Sequence, residues 1–233
     1  MPKDINNLIQ GYHKFRKNYF NDSNSSFEDL VRWGQRPKVL MIACSDSRVD
    51  PAVIMNCQPG DLFVIRNVAN LVPPYEDDQA YHGTSAALEF GVCSLGIRHV
   101  ILFGHTQCGG IQNLLEHSAS EYTQKTFISK WMELAKPAHE AILKFHDEKS
   151  LEEKTTLCGQ YSLINSLKNL ETFPWIAEKV KNGTLFLHAW NFDLSKGILE
   201  VFDPELNGFR DLSMLEHEEK GFLKETGQCL KNG

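Results

Sequence analysis

The 233-residue chain has no window approaching about 18 uninterrupted apolar residues, so no membrane-spanning helix is expected. It has no basic run and no basic-aromatic alternation, and its formal net charge is −6, which argues against nucleic acid as a partner. The segment from Met1 to Asn7 has no long apolar stretch of the secretory kind, and a cytoplasmic location is expected. Among six cysteines there is no Cys-x-x-Cys pair, which removes the usual thiol redox centre. A reducing compartment leaves no reason for a structural disulfide. No Gly-x-Gly-x-x-Gly follows the first apolar run, so a dinucleotide fingerprint is excluded. Internal repeats and low-complexity tracts are absent as well.

What the chain does hold is ample material for one core. Hydrophobic residues make up 42% and charged residues 23%, the balance of a soluble α/β domain. Lys38 to Ala43, Leu62 to Arg66, His99 to Phe103 and Thr184 to Trp190 are short apolar runs of strand length. Between them lie helical patterns at Val49 to Asn56, with Asp50 as cap and Pro51 in its first position, and at Ser85 to Leu95 and Gly109 to Leu115. Cys93, inside the second of these, reads as a small core residue. Further helices fill Thr123 to Lys181, broken near Asp147 to Ser150 and at Phe173-Pro174, and Ile198 to Phe202 forms an antiparallel edge. Nearly continuous apolar strands alternating with helices predict a parallel β-sheet covered by helices on both faces. We expect an N-terminal helical arm over residues 1–35, an α/β core over 36–210, and a C-terminal helix and tail over 211–233.

Chemistry concentrates in two places. Ala43-Cys44-Ser45-Asp46-Ser47-Arg48 closes the first strand, and Gly104-His105-Thr106-Gln107-Cys108-Gly109-Gly110 closes the third. Ligands of open parallel sheets gather outside the carboxyl ends of strands, so both motifs arrive at one edge. Two thiolates and one imidazole, Cys44, Cys108 and His105, are a zinc donor set. Three protein ligands leave a position for water, the pattern of a catalytic zinc in a hydrolase or hydratase. Asp46 paired with Arg48 stays ionised, is held off the metal and accepts a hydrogen bond from its water; unpaired, it becomes a fourth ligand and closes the site. Two thiolates offset the ion's charge, so activity is expected to improve at alkaline pH. Phe63, Ile65, Val68 and Leu71 are expected near the same edge, giving a small apolar pocket suited to a weakly polar electrophile such as carbon dioxide.

From Pro37 to Phe202 these motifs resemble the β-class carbonic anhydrases. The run Arg66-Asn67-Val68-Ala69-Asn70-Leu71-Val72-Pro73-Pro74-Tyr75 is similar to that of the plant-like branch. The resemblance implies one zinc per chain on Cys44, His105 and Cys108, and an Asp46–Arg48 dyad that orients the water. It implies reversible hydration of carbon dioxide to bicarbonate and a proton. It also implies a homodimer, or a higher assembly such as a tetramer, embraced by the N-terminal arms. In substrate binding, Gln35 matches a glutamine that acts across the dimer interface and Phe63 matches the pocket phenylalanine; Val68, just past the second strand, and Gly109, whose amide is free for an oxygen ligand, are expected beside them. Phe90 stands where plant-like members carry tyrosine. Members with a regulatory bicarbonate site use a tryptophan, an arginine and a tyrosine where this chain has Met41, Arg66 and Phe192. The site is therefore expected to be open at neutral pH. Hydrolysis of carbon disulfide or carbonyl sulfide would use the same fold and metal. A structural zinc would need Asp46 as a permanent ligand, against which Arg48 argues.

Overall fold

Six apolar residues in a row, Val39–Cys44, form β1, and all but the first are buried. A strand buried on both faces needs neighbours on both sides, and β1 has them: β2 (Leu62–Asn67) and β3 (His99–His105) pair with it in parallel. The computed structural model describes residues 2–20, 26–78, 80–116 and 126–214. Within these, the six strands follow the order β2-β1-β3-β4-β5-β6. Strand β4 (Phe186–Asp193) joins β3 in parallel, and β5 (Ile198–Asp203) and β6 (Gly208–Asp211) are antiparallel.

Side-chain alternation divides the core in two. Met41, Ala43, Ile101 and Phe103 face one cluster; Leu40, Ile42, Val100 and Leu102 face the other. Helices α3 (Pro51–Ile54), α4 (Gly83–Glu89), α5 (Gly109–Glu116), α6 (Phe127–Met132), α7 (Lys136–Phe145), α8 (Leu151–Glu171) and α9 (Pro174–Lys181) cover the sheet. The long α8 serves both clusters, through Cys158 in the first and Leu163 and Leu170 in the second. It starts where the sequence breaks: the Ser150 hydroxyl accepts from the Glu153 amide, and the Glu153 carboxylate accepts from the Ser150 amide.

The arm is different in kind. Helices α1 (Lys3–Phe20) and α2 (Ser26–Trp33) join through Phe15, Tyr19 and Phe27, yet α1 buries no residue. Leu8 is 70% exposed and Trp33 62%. Leu30 anchors α2 on the turn at Gly60, whose φ of +98° and lack of a Cβ both suit glycine: a Cβ there would sit 2.7 Å from Leu30 Cδ2.

Three sequence expectations need correction. Strand β4 runs on to Asp193, past the last apolar residue of the predicted strand, because buried Asn191 donates to Glu200 on β5 and Asp193 accepts from the Ser195 and Lys196 amides. Strand β6 was not anticipated; its Phe209 packs on Phe202. Cys93 is exposed rather than in the core, because residues Phe90–Ser94 form a π-helical turn that rotates it outward. The acidic tail from Glu216 onward lies outside the described residues.

Candidate metal centre

After β2 the chain crosses back over β1 to form β3, so a topological switch point falls between β1 and β3. Cys44 ends β1 and His105 ends β3, one on each side of it. Cys108 follows in the turn into α5, where Gln107 adopts a φ of +56°. The ligand atoms of Cys44, His105 and Cys108 lie within 4.8 Å of one another, and all three residues are buried.

The local chemistry fits a metal ion. The two sulfurs are 3.9 Å apart. Tetrahedral bonds of about 2.3 Å to sulfur place two thiolates about 3.8 Å apart. His105 Nδ1 lies 2.8 Å from the Thr106 carbonyl and donates to it, which leaves Nε2 as the lone-pair nitrogen. Nε2 is buried with no hydrogen-bond partner among the described residues, an orphaned acceptor beside two sulfurs. Cys44 is lowered to about 4, first by the thiol of Cys108 and then by His105 and the amides of Asp46 and Ala69, against the opposing effect of burial. Cys108 is pushed up by its contact with the Cys44 thiolate and by burial, while the amides of Gly110 and Ile111 at the start of α5 work the other way. Those amides are placed to stabilise a second thiolate once an ion is present.

Asp46 stands over this cluster. Arg48 grips its carboxylate with two bonds, Nε to Oδ1 at 3.0 Å and a terminal nitrogen to Oδ2 at 2.8 Å, and its own amide adds a third at 2.9 Å. The same terminal nitrogen reaches the Gln107 carbonyl at 3.1 Å, tying the two motifs together. The Arg48 bond holds Asp46 at about 2, well below the usual carboxylate range, against slight desolvation. Asp46 Oδ2 is 4.0 Å from His105 Nε2.

The structure therefore brings together Cys44, Asp46, Arg48, His105 and Cys108. Val68 and Gly109 lie beside them: α5 packs so closely on the turn after β2 that a Cβ on Gly110 would be 2.9 Å from Val68 Cγ1. Leu71 joins the same cluster. A cavity of 640 Å³ opens next to Val68, lined also by Asn67, Tyr81, His82, Phe127 and Trp131. Phe63 and Ile65 do not join the site in one chain, because strand alternation turns them to the opposite sheet face. Phe63 packs there with Phe90, ring centroids 6.0 Å apart. Gln35 precedes β1 and so lies at the opposite end of that strand from Cys44, about 16 Å or more away by strand rise.

Two contributors escaped the sequence reading. Thr106 orients His105 through its carbonyl, and its hydroxyl accepts from the Leu194 amide at 3.0 Å. Ala69 carries a left-handed φ of 62° in the turn that faces Cys44. A backbone carbonyl and a strained alanine leave no trace in residue identity.

A buried Cys₂His set with a clamped carboxylate at its mouth, at the switch point of a parallel sheet, defines a metal-dependent hydratase or hydrolase. A family model described as carbonic anhydrase matches residues 39–199. A carbonic anhydrase of Synechocystis sp. is 35% identical over 202 residues, 87% of this chain and 72% of the relative. The chloroplastic beta carbonic anhydrase 5 of Arabidopsis thaliana is 38% identical over 190 residues, 81% of this chain and 62% of its own length. The solved structure of the β-carbonic anhydrase CcaA is similar with a TM-score of 0.83 at 34% identity, covering 90% of this chain and 92% of that one. A structure from a study of two tetrameric β-carbonic anhydrases of the ascomycete Sordaria macrospora follows at 0.69 and 29%, covering 85% and 93%. The chain belongs to the carbonic anhydrase family, in its β class, whose function is the hydration of carbon dioxide.

Proposed function

We propose that this chain binds one zinc through Cys44, His105 and Cys108 and hydrates carbon dioxide reversibly, with Asp46 and Arg48 ordering the reacting water. The observation that carries this reading is the orphaned His105 Nε2, buried beside two sulfurs with the Asp46 carboxylate 4.0 Å away. Zinc in this setting supplies Lewis acidity that eases loss of a proton from water. The rest falls to the protein. Carbon dioxide and water become bicarbonate and one proton. Asp46, kept ionised by Arg48, accepts a hydrogen bond from the water and turns an oxygen lone pair toward the substrate carbon. An ionised carboxylate cannot donate, so the water has one productive orientation there. Val68, partly exposed at the cavity, offers apolar surface to a substrate with no charge, with buried Leu71 packed in the core cluster beneath the metal centre.

This reading places the chain in the open-site, plant-like branch. The bidentate hold of Arg48 on Asp46 supports it. Phe192, in place of the tyrosine of the regulated branch, packs on Phe103. The pocket is completed by a second copy, which would bring Gln35, Phe63 and Phe90 to this metal centre. Their distance from Cys44 within one chain and the uncovered apolar side chains of α1 and α2 support a homodimer or a higher assembly. Sedimentation at several protein concentrations tests it; a monomer with full activity would refute it. A cytoplasmic location belongs to the same reading and is tested by cell fractionation. The activity itself is tested by carbon dioxide hydration on zinc-loaded protein beside a His105→Ala variant.

A further inference from the structure

The sheet ends at Ser45, whose amide makes a last bond to the Asn67 carbonyl at 2.9 Å. Beyond it, residues 46–50 run free of the ladder, and this stretch carries the Asp46 carboxylate. Arg48 fixes that carboxylate and ties its own side chain to the Gln107 carbonyl, but it makes no bond to the Asp46 carbonyl or the Asp50 carboxylate. A residue of the neighbouring strand makes both. Arg66, near the end of β2, sends Nε to the Cys44 carbonyl at 3.0 Å and one terminal nitrogen to the Asp46 carbonyl at 2.7 Å. Its other terminal nitrogen reaches Asp50 Oδ2 at 3.0 Å. Asp50 in turn caps α3, its Oδ1 accepting from the Ala52 amide at 3.0 Å and the Val53 amide at 3.3 Å. One guanidinium thus spans the loop from its first residue to its last.

We propose that Arg66 and Asp50 are positioning residues for Asp46, holding its peptide so that the carboxylate stays on Arg48 and off the metal position. The inference rests on the proposed role of Asp46 in hydration. Its physical basis is the fork shape of arginine: donors held at fixed angles reach both carbonyls and a carboxylate at once, where a lysine ammonium is a single point. Released from Arg66, the Asp46 carbonyl keeps the turn bond from the Val49 amide at 3.2 Å, and the loop's remaining tie across to the third strand's turn is Arg48 to the Gln107 carbonyl at 3.1 Å. The carboxylate then has about 4 Å to travel to the metal-facing nitrogen of His105.

Two variants separate positioning from mere stability. Arg66→Lys keeps the charge and loses the fork. Asp50→Ser keeps a side-chain cap for α3 but cannot reach Arg66. Both are compared with the parent for zinc content, thermal midpoint, kcat and KM for carbon dioxide, and the visible spectrum of the cobalt(II)-substituted protein. Changes in residues that orient metal-site groups typically cost about 10- to 100-fold. The expected result is a kcat lowered about 10-fold in Arg66→Lys and less in Asp50→Ser. KM stays within about twofold and zinc stays at the parental level. The cobalt ligand-field bands shift in both variants while the thiolate charge-transfer bands remain, as Asp46 enters the coordination sphere. Parental kcat and parental cobalt spectra in both variants would overturn the proposal, as would losses matched by lost zinc or a collapsed midpoint. A zinc-loaded parent that hydrates no carbon dioxide would sink the proposed function instead, leaving the cobalt spectra to decide the clamp.

Discussion

Two adjacent glycines at the start of α5 should respond to the same substitution in opposite ways. A Cβ on Gly110 would lie 2.9 Å from Val68 Cγ1, 3.4 Å from the Ala69 Cβ and 3.7 Å from Met132 Sδ. A carbon pair prefers about 3.5–4.0 Å, so the first contact is too short by nearly 1 Å. Val68 is β-branched and has few rotamers to retreat into, and Ala69 is locked in its left-handed turn. Overpacking of this kind costs about 1–3 kcal/mol, partly offset by alanine's helix preference of up to about 1 kcal/mol. The net loss for Gly110→Ala is about 0–2 kcal/mol, and because Gly109→Ala gains the same helix preference without the overpacking, Gly110→Ala should melt roughly 2–12 °C below it. A Cβ on Gly109 meets none of the described residues within 4 Å, so Gly109→Ala should leave the midpoint unchanged or raise it by a few degrees. Scanning calorimetry of the zinc-loaded proteins at one fixed concentration makes the comparison. Equal midpoints for the two variants, or a more stable Gly110→Ala, would refute the packing of α5 on the turn after β2.

Other perturbations give distinct signatures. Arg48→Ala releases the Asp46 carboxylate while leaving all three metal ligands, so zinc should stay bound while kcat falls about 10- to 100-fold. Zinc lost in step with activity would contradict that division of labour. His188 is held down to about 4 by burial and then by the charge of His99, whose Nδ1 is 3.2 Å from its Nε2. The unfolded chain takes this proton near pH 6.5 and the folded chain does not, so stability should fall by on the order of 2–3 kcal/mol as pH drops through that window. Urea midpoints of the zinc-free protein between those limits test it, and a flat profile that matches His188→Asn would refute it. Removing residues 1–34 deletes the uncovered apolar arm, and sedimentation should then show a smaller assembly; an unchanged one would detach the arm from association.

How much of this was legible in the sequence differs from element to element. Strands β1 and β3 were plain because they are buried on both faces and therefore continuously apolar, and Asp50-Pro51 announced α3 by its cap. The Cys44, His105 and Cys108 donor cluster was legible because Cys44 and His105 end their strands and Cys108 follows three residues on, where topology alone brings them to one edge. Strand β4 hid its last residues behind Asn191 and Asp193, polar groups whose partners lie elsewhere in the chain. The pocket was harder. Alternation in β2 turns Phe63 and Ile65 away from the metal, while Val68 and Leu71, just past its end, remain beside it. Arg66 was visible only as a residue of a motif; its span from Cys44 to Asp50 depends on the register of β2 against β1.

The most direct test is stopped-flow carbon dioxide hydration from about pH 6.5 to 9 on zinc-quantified protein, run beside a Cys108→Ser control. Hydration is expected already near neutrality with about one zinc per chain, rising toward alkaline pH and lost in the control. A protein that carries its zinc and hydrates no carbon dioxide at any pH in that range would contradict it.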